Sequence, residues 1–163
     1  MAISVLSYQA RTVSFSLAVT LMHDIGKIAM HDNILKSDRK LTLEDRESLK
    51  EHVIEGVNLL HDASFSKPII DFCKYHHERL NGEGYPNKTD DIPLIGRLAA
   101  VVDVYSALTV PRVYHKKSYS PVDAIHTLYE EQHKKHGYDA YILDLLVNQV
   151  ENEESKINNT IQL

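Results

Sequence analysis

Apolar residues recur every three or four positions along almost the whole chain, and no stretch alternates apolar and polar positions as a half-buried strand would. The pattern predicts an all-α fold. Residues 4–30, rich in Val, Leu, Phe and Ala, read as one or two helices ending near Gly26. Residues 31–41 are polar and irregular. Thr42, with Asp45 three positions on, has the signature of a capping box opening the next helix. Leu49, Val53, Gly56, Val57 and Leu60 share one face of that helix. Lys67-Pro68 starts another, running to about His77. Residues 79–92 hold Gly82, Gly84, Pro86 and Asn87 and read as a loop. Pro93 fits the first turn of a helix through about Leu108, with Leu94, Leu98, Val101, Val102 and Tyr105 as its apolar stripe. Ser120-Pro121-Val122-Asp123 is a helix start and Gly137 its stop. A last helix is expected over about 139–150, with residues 151–163 as a frayed polar tail. One domain over residues 1–150 accounts for this organisation, a single compact bundle of about five to seven helices.

The formal net charge of -5 supplies no global basic field, so DNA is not an expected partner. A phosphorylated ligand needs locally placed cations instead. The single cysteine, Cys73, excludes an internal disulfide and suits a reducing cytoplasm; among Ile69, Ile70 and Phe72 it reads as a buried structural thiol. Residues 1–22 are fairly apolar with only Arg11 charged, but they lack the basic start of a signal peptide. They are also too short and too polar to span a membrane, so membrane insertion is not expected.

The ten histidines matter through their placement. His23-Asp24, His52, His76-His77 and Asp103 fall on separate predicted helices. Imidazole nitrogens and carboxylate oxygens suit iron, manganese, zinc or nickel far better than calcium. Neighbouring helical residues point about 100° apart, so His23 and Asp24 share a site only near a helix end or between two metals. Taken singly, His52 reads as a hydrogen-bonded core histidine and His76 and His77 as surface residues, while Asp103, between Val102 and Val104, would be costly if buried charged without a cation beside it. Taken together, they favour a metal centre.

Two segments carry a specific resemblance. His23-Asp24-Ile25-Gly26-Lys27 and His76-His77-Glu78-Arg79-Leu80-Asn81-Gly82-Glu83-Gly84-Tyr85-Pro86 resemble the HD-GYP family, a branch of the HD-domain metal phosphohydrolases. The resemblance covers residues 17–150 and implies an HD-type helical bundle holding two divalent transition metals, commonly iron or manganese. By motif, Asp24 corresponds to the bridging carboxylate, His23 and Asp103 to ligands of the first metal, and His52, His76 and His77 to ligands of the second. Lys27 corresponds to a lysine touching a substrate phosphate, and Gly84, Tyr85 and Arg112 to further substrate contacts. Asp24 and Lys27 are the implied catalytic residues. The implied activity is hydrolysis of cyclic di-GMP to pGpG by hydroxide generated on the metals, with GMP as a further product left open.

The chain also departs from the pattern. No histidine occurs in residues 1–22, where the family places an upstream ligand; this predicts a weakened first site, an intact second one, and an N-terminal part that is truncated or divergent. Asn81 and Ser106 replace acids, and His115 replaces a cation. Two competing readings follow: a catalytically weak nucleotide-binding or regulatory module, and a hydrolase of another cyclic dinucleotide such as a cyclic GMP-AMP. A regulatory protein partner or a homodimer is the implied assembly.

Overall fold

The computed structural model describes residue 16, residues 18–111 and residues 118–161. Every regular element among them is helical, as the periodicity predicts. A helical stretch over residues 18–22 runs into a 3-10 turn, Ile25–Ala29. Then come α1 (Asp32–Leu35), α2 (Leu43–Asp62), α3 (Lys67–Tyr75), α4 (Leu94–Thr109), α5 (Pro121–Lys135) and α6 (Ala140–Ile161). Among the described residues, no helix is long and apolar enough to cross a membrane.

The polypeptide divides into two units, Met1–His77 and Glu78–Leu163. In the first, α2 begins at a capping box: Thr42 Oγ1 accepts from Asp45 N–H, and the Asp45 carboxylate accepts from Thr42 N–H. Such a cap contributes about 1 kcal/mol. Val53 and Leu60 from α2, with Phe72 and Cys73 from α3, form the buried apolar faces, each large side chain contributing about 1.5–3 kcal/mol. In the second unit, Ala100 and Val101 of α4, Leu128 of α5, and Tyr138, Ile142 and Leu143 make one core.

Several boundaries differ from the sequence reading. Residues 31–41 contain the single turn α1, begun by His31 as its N-cap. Pro93 is the N-cap of α4, one position before the first turn. Helix α5 ends at Lys135, with His136, not Gly137, in the left-handed region at φ 52°. The last helix runs to Ile161, well past residue 150: no Gly or Pro interrupts residues 151–161, and the Glu and Lys residues among them are good helix formers. Arg112 and His115 lie outside the described residues.

Candidate metal centre

The first unit brings Asp24, His52, His76 and His77 together, each offering one ligand atom, all within 4.8 Å of one another. Three local features produce this. His52 is on the buried face of α2, one residue before Val53. His76 is the C-cap of α3, so His76 and His77 leave the helix side by side, their ring centroids 3.9 Å apart. Asp24 immediately precedes the 3-10 turn, which lies directly on α2 at two glycines. A Cβ on Gly26 would stand 1.9 Å from the His52 carbonyl oxygen and 2.4 Å from Gly56 N. Only bare backbone at Gly26 lets the turn approach closely enough to set Asp24 against His52.

Proton positions follow from backbone carbonyls, which only accept. The Nδ1–H of His52 donates to the Leu49 carbonyl (2.5 Å), and that of His76 to the Cys73 carbonyl (2.6 Å). Burial pushes the His76 imidazole down to about 3, so it is neutral near pH 7. Its Nε2 therefore presents a lone pair. Asp24 Oδ1 is 3.2 Å from His52 Nε2 and 3.8 Å from His76 Nε2, and the two Nε2 atoms are 3.4 Å apart. Asp24 Oδ1 is buried without a properly directed hydrogen bond. An oxygen and nitrogen lone pairs converging without a shared proton is an arrangement that a cation satisfies. Metal-binding histidines characteristically donate their other ring N–H to a carbonyl, as these two do. The donor set fits a divalent transition metal.

Burial of Asp24 opposes ionisation. The close approach of His52 and the hydrogen bond from Lys27, with the charges of Lys27 and His23, outweigh it and hold the carboxyl well below the usual carboxylate range. The Lys27 ammonium sits 2.5 Å from Asp24 Oδ2. His23 lies outside the four-residue cluster. Its Nδ1–H donates to the Thr20 carbonyl (2.9 Å), and its Nε2 stands 3.5 Å from Asp24 Oδ2, so it borders the second carboxylate oxygen. Asp103 is a half-buried residue of α4, in the second unit. Cys73 is buried, its thiol donating to the His23 carbonyl (3.2 Å); burial, then the charge of Asp24, pushes it up to about 12, which excludes a thiolate nucleophile near neutral pH.

Residues 8–142 match the HD domain family, 135 of 163 positions. The chain belongs to that family. Membership in the HD-domain family implies divalent metal binding, in keeping with the cluster around Asp24. This HD domain is similar to a cyclic di-GMP phosphodiesterase of Pseudomonas aeruginosa, 40% identical over 113 residues, 68% of this chain and 27% of the relative. It is similar to a 3'3'-cGAMP-specific phosphodiesterase of Vibrio cholerae, 37% identical over 97 residues, 57% of this chain and 19% of the relative. A cyclic di-GMP phosphodiesterase response regulator of Xanthomonas campestris is 36% identical over 115 residues, 68% of this chain and 30% of the relative. The chain thus spans less than a third of each of these proteins.

In the second unit of the HD domain, residues 78–92 form the loop expected from their glycines and prolines. Gly84 is buried and Tyr85 half-buried beside a cis Tyr85-Pro86 bond. Asn81, which stands where the family places an acid, has a structural role. Its Nδ2 donates to the Lys135 carbonyl (2.9 Å) and its Oδ1 accepts from Glu83 N–H (3.0 Å). A carboxylate reproduces the second bond and not the first. Sequence reasoning missed three residues: Gly26 and Gly56, whose close approach sets the cluster, and Glu78, a wholly buried carboxylate. All three were visible as residue types, Gly26 and Glu78 within the two motifs themselves.

Proposed function

We propose that this HD domain is a metal-dependent phosphodiesterase acting on cyclic di-GMP and yielding linear pGpG. The observation carrying the reading is the convergence of Asp24 Oδ1 with the Nε2 atoms of His52 and His76, which calls for a cation in a family of metal-binding domains. The names of the relatives supply the substrate class. Two transition ions are proposed, iron or manganese before zinc or nickel, and Asp24 would offer a carboxylate oxygen to each. His52, His76 and His77 serve one ion; His23, on the Oδ2 side of Asp24, and Asp103, by motif alone, serve the other. When bound, such ions supply Lewis acidity: they polarise phosphate oxygens and lower the pKa of water toward neutrality.

The chain's own groups do the rest. Asp24 stays ionised across the working pH range, so it offers two anionic oxygens throughout. Lys27 holds an ammonium at the edge of the cluster, where it neutralises phosphate charge. Tyr85 presents a hydroxyl to phosphate and a ring to base or ribose, with Gly84 permitting close backbone approach. Arg112, by motif alone, would supply a planar fork for phosphate beside Lys27.

A second reading keeps the same substrate class: a weak, regulatory module, favoured by Ser106 and His115, which stand in place of an acid and a cation. A cytoplasmic setting, with control by a partner protein or a second copy, accompanies either reading; one relative is named a response regulator. The test is chromatographic turnover of cyclic di-GMP and of 3'3'-cGAMP by protein loaded anaerobically with iron(II) or manganese, with metal content measured on the same sample. Product formation that disappears in Asp24→Asn is expected. Metal-filled protein that converts neither dinucleotide overturns the enzymatic reading in favour of the regulatory one.

A further inference from the structure

Glu78 is the one charged residue among the fully buried side chains of the described structure, with 0% of its surface exposed. Both carboxylate oxygens are engaged by the loop that carries Tyr85. Oε1 accepts from Asn87 N–H at 2.7 Å and Oε2 from Thr89 N–H at 3.3 Å. Between those two donors, Lys88 adopts the left-handed conformation at φ 54°. A left-handed residue there turns alternate N–H groups toward one point, the concave arrangement that binds anions. Here the bound anion is a side chain of the same unit. The near end of the loop is fastened separately, by Leu80 N–H to the Gly137 carbonyl (2.9 Å) and by Asn81 Nδ2 to the Lys135 carbonyl (2.9 Å).

We propose that Glu78 is a positioning residue: its carboxylate is the internal anion on which residues 79–89 close, and it thereby sets how Tyr85 meets a cyclic dinucleotide. Residues 79–89 make a single loop, shut at one end by Glu78 and at the other by the carbonyls of Lys135 and Gly137. Glutamine cannot substitute fully, since its amide NH2 faces a backbone N–H where a second acceptor is required. The inference deepens the phosphodiesterase reading and rests on it for the identity of the ligand.

The experiment uses the metal-loaded protein and its Glu78→Gln variant. Amide hydrogen exchange at Asn87 and Thr89 is read by NMR, metal content by mass spectrometry, and cyclic di-GMP by steady-state kinetics and calorimetric binding. In Glu78→Gln, exchange at both amides should accelerate at least about tenfold, the loss of one charge-assisted hydrogen bond. KM and Kd for cyclic di-GMP should rise by a similar factor, kcat should change by less than about threefold, and metal content should hold. Unchanged amide exchange, or a fall in kcat alone, overturns the proposal, as does loss of metal, which would make Glu78 part of the metal centre. Should Glu78→Gln fail to fold, the exposed Asn81→Asp variant loosens the other end of the loop. A rise in KM and Kd of about two- to fivefold supports the same conclusion, and unchanged values refute it. A wild-type chain that neither binds nor converts any cyclic dinucleotide defeats the functional reading itself, a result distinct from the amide exchange, which reports the loop's dependence on Glu78.

Discussion

Adding one methyl group at Gly26 tests whether backbone contact sets the metal cluster. The new Cβ would stand 1.9 Å from the His52 carbonyl oxygen, 2.4 Å from Gly56 N and 2.8 Å from the His52 carbonyl carbon, all main-chain atoms that no rotamer change can move. A carbon–oxygen contact relaxes at about 3.3 Å, so the 3-10 turn must lift from α2 by roughly 1.4 Å. Overpacking a tight contact costs about 1–3 kcal/mol, and a backbone-on-backbone clash belongs at the upper end. For a chain of this size, about 3 kcal/mol lowers Tm by roughly 6–12 °C. Asp24 is two residues away, and a site that tolerates about 0.2 Å in its ligand distances cannot absorb that lift. Gly26→Ala should therefore lose both stability and metal, measured by thermal unfolding followed by circular dichroism and by metal content after dialysis. Gly137→Ala is the matched control: its Cβ meets only the Arg79 side chain, no closer than 3.4 Å, and Tm should move by less than about 2 °C. A Gly26→Ala protein with full metal and an unshifted Tm refutes the packing argument.

Three further outcomes are expected. Adding manganese at about 100 times its Kd should stabilise the protein by roughly 2.7 kcal/mol, and Asp24→Asn should abolish that shift in a thermal-melt titration. In the metal-free protein, His76 is held neutral down to about pH 3, whereas an unfolded histidine protonates near 6.5. The unfolded state thus binds the extra proton between those values, and stability should fall as pH drops from about 6.5 toward 3. Urea midpoints at pH 7 and pH 4.5 check this, and a His76→Gln variant should show a shallower dependence. Cys73, buried and with its thiol pushed up to about 12, should resist Ellman's reagent at pH 8 until denaturant is added. Rapid labelling of the native protein contradicts that burial.

Local signals were legible where a helix is defined by its own residues. The Thr42–Asp45 capping box, the Ser120 cap and the Lys67-Pro68 start sit where their spacing predicts them. The candidate ligands were legible as residue types in motifs, and the structure gathers four of them. What the sequence could not express was the contact partner of a small residue. Gly26 reads as a helix stop, and its role emerges only from the α2 backbone opposite it. Glu78 reads as a polar residue before a loop, since nothing local reveals that its partners are Asn87 and Thr89. Asn81 reads as a lost acid, whereas its amide is required for a bond to a carbonyl 54 residues away. The long final helix escaped because an apolar stripe was used to find helices, and residues 151–161 offer only Ile157 and Ile161 among polar neighbours.

The glycine contact has a practical consequence for anyone transplanting this centre into another scaffold. The four side chains of the cluster are an incomplete recipe. A host helix offering a histidine at the right place, but with a larger residue one turn later where this chain has Gly56, would keep the incoming turn and its carboxylate out of range. The smallest portable unit is therefore four candidate ligands and two absences: a pair of missing side chains, one on each piece of backbone, as indispensable as the groups proposed to touch the ion.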